Sequence, residues 1–446
     1  MLKQPWQGLT NLEGQGLLVA ELAEGGVLNF PALLDVLEAG MDRTSTCYKP
    51  VPLPASSSRE DVPAFMVGSL EQASLHRDNA VTNLTEAERH FLFLHARSMA
   101  EHFIPQISSL SDQTNARVKA DLRFAELLEE QVDYASLITA AQVLAPSPMS
   151  TGSTRSLQHG RNPCPLPPFL PADGRRPVGP GDILRTDRHW WPGTDNLRVD
   201  KGIGLIIDVG GNDFYRGMIA TSADEDQGNA VVIDLTGDDT YDVAPLGLAT
   251  GRLGVGLLID HAGDDVYQLD MGSGGAGFGG LGILFDGKGN DMYMGSRLTQ
   301  GAAIGGLGLL FDTAGNDRYT SHAFAIGFGG PLGVGTIIDF TGDDQYGSTG
   351  PFYNAGVAWD HSVSMMIDSG NGLDRYTFDR STGLGGTDYS GWGLFIEEGG
   401  ADQYHATSGF GDSSEKSVAG FFDLDGNDTY SLPPDSSIPA DIRPSD

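Results

Sequence analysis

Over the second half of the chain, hydrophobic and polar positions recur in one order. A glycine precedes three large apolar residues and an acid, and a second glycine follows three positions on. An aspartate and a tyrosine come next, each two residues after the last. Gly256-Leu257-Leu258-Ile259-Asp260, leading to Gly263, Asp265 and Tyr267, is one copy; Gly282-Ile283-Leu284-Phe285-Asp286, leading to Gly289, Asp291 and Tyr293, is the next. The nine leading acids stand at 208, 234, 260, 286, 312, 339, 368, 397 and 423, at intervals of 26, 26, 26, 26, 27, 29, 29 and 26 residues. So steady a period marks a solenoid, in which each repeat is one coil that buries its apolar face only by stacking on its neighbours. Each apolar run predicts a short strand, and stacked strands build a parallel sheet with rungs about 4.8 Å apart. The predicted fold is mainly β: a parallel β-solenoid of about nine 26-residue coils over 201–432, preceded by a mainly α-helical N-terminal region.

Alternation along a strand places Leu257 and Ile259 on one face and Leu258 on the other, so both faces of this sheet are apolar. We expect the column Ile206, Val232, Leu258, Leu284, Leu310, Ile337, Met366, Phe395 and Phe421 to face away from the solenoid interior and to need a cover. Two covers are available: the N-terminal helices, or a second copy of the chain in a homodimer through this face. The glycine of each D-x-x-G corner is expected to supply a left-handed residue. Nine of the 13 tyrosines fall in the Tyr column, which predicts a stacked ladder. The glycine-rich third side, such as 272–282, predicts either a flat edge of closely approaching backbones or bulged turns.

Residues 1–145 are expected to form the helical domain that packs on the solenoid. Thr85 and Glu88 have the spacing of a capping box ahead of a helix from Glu86 to about Phe103. A second helical pattern runs from Asn115 to Leu144, a rod of about 45 Å if unbroken, against roughly 38 Å for eight rungs. Residues 146–200 are rich in Pro and Arg and predict an extended linker, either docked on the acidic solenoid or mobile; 433–446 predict a flexible tail. His189-Trp190-Trp191 either lines a site or caps the open end of the solenoid. His95 and His102 share a helix face but lack a recognised metal motif.

Charge narrows the partners. A net charge of -33 argues against nucleic acid, whose phosphates demand clustered Lys and Arg. No run of eighteen apolar residues predicts membrane insertion, and Met1 to Gly26 lacks the pattern of a secretory signal. The two cysteines, Cys47 and Cys164, form at most one bridge.

In-register stacking brings equivalent carboxylates about 4.8 Å apart, where two unit charges repel by about 0.9 kcal/mol in water and roughly four times more at a dielectric of 20. Compensation comes either from the amides of the following turn, as in Asx-turns, or from a cation such as calcium between successive rungs. The stretches 211–215, 237–241, 263–267, 289–293, 315–319, 342–346 and 426–430 read Gly-Asn-Asp-x-Tyr or Gly-Asp-Asp-x-Tyr. They resemble half of the haemolysin-type calcium-binding repeat, G-G-x-G-x-D-x-hydrophobic-x, although that family repeats every nine residues. The resemblance implies calcium at Asp213, Asp239, Asp265, Asp291, Asp317, Asp344 and Asp428, and an exported or envelope-associated bacterial protein.

Coils seven and eight break the pattern. Leu373 and Ala401 replace the usual Asn or Asp, Glu397 replaces the leading Asp, and Trp359, Asp360, His361, Asp388, Tyr389 and Trp392 gather nearby in sequence. The leading functional reading is a non-enzymatic, ion-stabilised binding or scaffold protein, extracellular or in the cell envelope. The alternative is a carbohydrate-active enzyme, a polysaccharide lyase or glycoside hydrolase, with Asp360, His361 and Glu397 as catalysts and Trp359, Trp392 and Tyr389 as sugar platforms. Solenoid ends are also irregular wherever they must be capped.

Overall fold

The computed structural model describes residues 72–95 apart from 74, 115–144, 183–185, 198–199, and 203–431 apart from 209, 223–227, 409 and 415. From residue 203 onward the chain winds as a three-sided parallel β-solenoid. Nine parallel strands, from Ile203–Asp208 to Val418–Asp423, stack in chain order to form the first sheet. Register is strict: Leu284 lies between Leu258 and Leu310, and Asp286 between Asp260 and Asp312. A second sheet of nine strands, Phe214–Ile219 to Thr429–Ser431, carries the tyrosines, with Tyr267 paired to Tyr241 and Tyr293. The third side is a narrow ladder through Gly251–Arg252, Gly277–Phe278, Ala303–Ile304, Gly329, Ala358–Trp359, Thr387–Asp388 and Ser413.

That third side combines closely approaching backbones with left-handed turns that recur from coil to coil, as at Gly272, Gly274, Gly275 and Gly279. Its backbone lies directly against the first sheet: a Cβ on Gly282 would overlap the carbonyl oxygen of Ala276, and one on Gly308 that of Ala302. The corner glycines are explained the same way. Gly211, Gly237 and Gly426 have positive φ, at 153°, 157° and 145°, whereas Gly263, Gly289, Gly315 and Gly342 do not have the expected left-handed conformation; a Cβ on any of these four would overlap the carbonyl of the glycine one coil before. Close stacking of corners, not turn handedness, demands glycine there.

Both faces of the first sheet are buried, but their assignment is the reverse of the sequence expectation. Ile206, Val232, Leu258, Leu284, Leu310, Ile337, Met366 and Phe395 form the solenoid interior together with the buried tyrosines. Leu257, Ile259, Ile283, Phe285 and Leu309 belong instead to an outer core shared with Phe124, Leu127, Leu128, Leu137 and Ile138. The physical reason is parity. Leu258 and Asp260, two apart on a strand, share a face, and Asp260 accepts the hydroxyl of the interior Tyr241 at 2.7 Å.

Helix Tyr134–Leu144 packs over strands Val255–Asp260 and Leu281–Asp286, and the Tyr134 hydroxyl donates to the Gly305 carbonyl. Arg252 lies 3.9 Å from the centre of the Phe93 ring. The capping box is present: Thr85 N donates to Glu88 at 3.0 Å and Glu88 N to Thr85 Oγ1 at 3.3 Å, ahead of a helix described over 86–95. The single rod expected over Asn115 to Leu144 is two helices, Asn115–Gln131 and Tyr134–Leu144. The break is built by Asp133, whose N–H turns to the Ala80 carbonyl at 2.8 Å while its carboxylate accepts the Ser136 hydroxyl at 2.8 Å as a cap. At the opposite edge, Ile183–Arg185 pairs antiparallel with Ile203–Asp208 and covers the first rung of the sheet. Cys47, Cys164, His102, His189-Trp190-Trp191 and the 433–446 segment lie outside the described residues.

Candidate metal centre

The acids form two parallel columns inside one corner of the solenoid, and each has its own hydrogen-bonding role. In the leading column, Oδ1 accepts the amide two residues on, as in an Asx-turn: Thr236 N to Asp234 at 3.2 Å, Ala262 N to Asp260 at 3.3 Å, Lys288 N to Asp286 at 3.2 Å and Ala314 N to Asp312 at 3.2 Å. Oδ2 accepts the tyrosine hydroxyl of the preceding coil: Tyr215 to Asp234 at 2.5 Å, Tyr241 to Asp260 at 2.7 Å, Tyr267 to Asp286 at 2.5 Å and Tyr293 to Asp312 at 2.6 Å. The tyrosine rings stack as expected, with centroids 4.6 to 4.9 Å apart and planes within 7° from Tyr215 to Tyr319. Each ring therefore fills the core and delivers a donor to a buried acid.

In the second column, Oδ1 ties one coil to the coil before it. Asp239 N donates to Asp265, Asp265 N to Asp291, Asp291 N to Asp317 and Asp317 N to Asp344, each at 2.6 Å. The other oxygen is left over. Oδ2 of Asp239, Asp265, Asp291, Asp317, Asp344 and Asp402 is buried and receives no N–H or hydroxyl donor. A buried carboxylate oxygen without a partner is costly, so something positive belongs beside it.

Oxygens of the two columns converge. Asp239, Asp260 and Asp265 place one oxygen each within 4.8 Å of one another, as do Asp265, Asp286 and Asp291; Asp291, Asp312 and Asp317; Asp317, Asp339 and Asp344; and Asp344, Asp368 and Asp374. Three oxygens held about 2.3 to 2.6 Å from one calcium lie about 4.0 to 4.5 Å from one another, a spacing inside the 4.8 Å limit that these triads meet. Hard, anionic oxygen donors are also the set that calcium or magnesium selects over softer metals.

Electrostatics supports the same need. Burial, reinforced by neighbouring carboxylates and opposed by the backbone amide each accepts, pushes Asp239, Asp291 and Asp317 up to about 9, Asp344 to about 8 and Asp265 to about 7. Asp286 and Asp339 are raised well above the usual range, first by burial and then by neighbouring acids. Asp312 rises only to about 6, because the tyrosine and amide donors to its ionised form offset its burial. In the absence of a cation, the carboxyls raised to about 8 or 9 would retain protons at neutral pH. Asp234–Asp239, Asp260–Asp265 and Glu397–Asp402 are placed to share a proton.

Of the residues the sequence singled out for metal, Asp239, Asp265, Asp291, Asp317 and Asp344 lie in these triads, while Asp213 and Asp428 are at the two ends of the column. The leading-column acids Asp260, Asp286, Asp312, Asp339 and Asp368, with Asp374, were missed as members of these triads. The signal was present in the parity that sets Asp260 on the same face as Leu258 and in the tyrosine seven residues on.

The other candidate residues lie in separate places. His361 Nδ1 lies 2.8 Å from Asp360 Oδ1 on a surface turn, both residues left-handed with φ of 57° and 61°. Their amides bond the carbonyls of Asp388 and Tyr389 in the next coil, and Trp359 meets the Tyr389 ring edge-on at 6.2 Å. Asp388 accepts the Tyr353 hydroxyl at 3.0 Å and that of Ser414. Glu397 is elsewhere, buried in the leading acid column, where it accepts the Gly399 amide at 2.7 Å and burial pushes it up to about 9. Trp392 is buried in the outer core of the first sheet. His95 Nε2 sits 2.8 Å from Asp121 Oδ1 as a helix-to-helix pair. No family model, no curated protein and no solved structure matches the chain.

Proposed function

We propose that this protein is a non-enzymatic scaffold whose β-solenoid is locked by divalent cations, calcium foremost, held in the interior acid columns. The observation that carries this reading is the row of buried Oδ2 atoms, from Asp239 to Asp344, that receive no hydrogen-bond donor on acids that gather in triads. Each cation would tie acids from two successive coils, so its binding energy becomes stacking energy between coils. The resemblance of the Gly-x-Asp corners to haemolysin-type repeats points to the same ion. Calcium sites of extracellular modules have dissociation constants of about 0.1 to 1 mM, so an extracellular or cell-envelope location would keep such sites filled. What the solenoid presents outward is then a long, rigid surface whose order depends on that ion.

The test is a melting curve of the whole chain in chelator and in millimolar calcium, at constant ionic strength and pH 7.5. A ligand that binds only the folded state stabilises it by about 2.7 kcal/mol at a concentration one hundred times its Kd. Calcium is therefore expected to raise the melting temperature and EDTA to lower it reversibly. Coincident curves in EDTA, calcium and magnesium would overturn the proposal.

A further inference from the structure

The triads are not equivalent. In the triad of Asp265, Asp286 and Asp291, only Asp265 Oδ2 and Asp291 Oδ2 are buried without a donor, because both oxygens of Asp286 are used: Oδ1 by Lys288 N and Oδ2 by the Tyr267 hydroxyl. The triads built on Asp260 and Asp312 likewise offer two such oxygens, and the triad built on Asp368 offers one, on Asp344. The triad of Asp317, Asp339 and Asp344 offers three: Asp317 Oδ2, Asp339 Oδ1 and Asp344 Oδ2.

The tyrosine ladder changes phase at the same place. Tyr215 to Tyr319 donate their shortest bond to the acid of the following coil, whereas Tyr346 and Tyr376 donate to the acid of their own, at 3.0 and 2.6 Å. The two phases meet at Asp339, whose Oδ2 takes both Tyr319 at 2.7 Å and Tyr346 at 3.0 Å. The change falls where the coil interval leaves 26, becoming 27 before Asp339 and 29 after it. The other oxygen of Asp339 is free of the turn amide that occupies Oδ1 in Asp234, Asp260, Asp286 and Asp312.

From this geometry, and resting on the cation-locked reading above, we propose that the tightest divalent-cation site of the chain is the single triad of Asp317, Asp339 and Asp344. Asp317 and Asp344 are also members of the two flanking triads, so filling the central site withdraws a ligand from each neighbour. One tight site followed by weaker ones is the expected binding pattern.

The test uses the full chain, stripped with chelator and titrated with calcium by calorimetry and with terbium by tyrosine-sensitised emission, since Tyr319 and Tyr346 flank the site. Wild type should show one site at least ten-fold tighter than the rest. Asp339→Asn, whose amide oxygen still accepts the tyrosine hydroxyls, should weaken that site ten-fold or more; Asp286→Asn should leave it within two-fold. Should Asp339→Asn fail to fold by circular dichroism, the anomalous terbium peak in crystals of the wild type decides by its position among the triads. A wild type that binds no cation overturns the proposed function itself. Cation binding that both variants weaken equally, or a strongest peak in another triad, overturns only the choice of site.

Discussion

Removing the cation and raising the pH should destabilise this protein, opposite to the usual behaviour of an aspartate held by a positive partner. Burial and neighbouring acids raise Asp239, Asp291 and Asp317 to about 9 in the fold, against about 3.9 in an unfolded chain. Below pH 4 both states hold the proton and the group contributes nothing to the pH dependence. Above that, the unfolded chain ionises while the fold keeps its proton, so stability falls as pH rises until the folded pKa is passed. One retained proton is worth about 1.4 kcal/mol per pH unit, hence about 4 kcal/mol between pH 5 and 8. Domain stabilities are about 5 to 15 kcal/mol in total, so two or three independent carboxyls of this kind would consume most of it. Melting curves in EDTA at pH 5, 6, 7 and 8 should therefore fall steeply, by roughly 8 to 16 °C for a single group over that span. In saturating calcium the ionised columns are the binding form, and the fall should be abolished or reversed. A chelated protein whose melting temperature is flat or rising from pH 5 to 8 would refute the reasoning, since buried acids without cations cannot ionise freely.

Three further outcomes follow from the packing. Gly289→Ala should destabilise by more than 2 kcal/mol in urea unfolding although Gly289 is not left-handed, because its Cβ would overlap the Gly263 carbonyl. Leu284→Asp should prevent folding by placing an unpaired charge in the solenoid interior; a soluble variant with wild-type circular dichroism would show that the interior is misassigned. Asp360→Asn should change stability by less than about 0.5 kcal/mol, as the residue is exposed, and a polysaccharide-cleaving activity in the wild type that this change abolishes would move the functional centre to the turns around Trp359 and Tyr389.

The period of the leading acids and the run of three apolar residues determined the solenoid, its parallel sheets and the tyrosine ladder, because repetition forces equivalent residues into register whatever the path between them. The Thr85–Glu88 cap was equally legible, being a contact within one turn of chain. Three features were decided only by the tertiary structure. The facing of Leu258 depended on which way the adjacent Asp260 turned, and that was fixed by the hydroxyl of Tyr241, nineteen residues away in sequence. The need for glycine at Gly263 and Gly289 came from a carbonyl one coil before, which no local φ preference reveals. The helix break at Asp133 came from the distant Ala80 carbonyl drawing off its amide. The acid site follows the same division. The sequence supplied two columns of aspartates, but which oxygens remain without a donor depends on how each coil meets the next, and at Asp339 a change of a few residues in coil length altered that meeting. Composition and period fix what stacks; the contacts between coils fix which atoms are left for an ion.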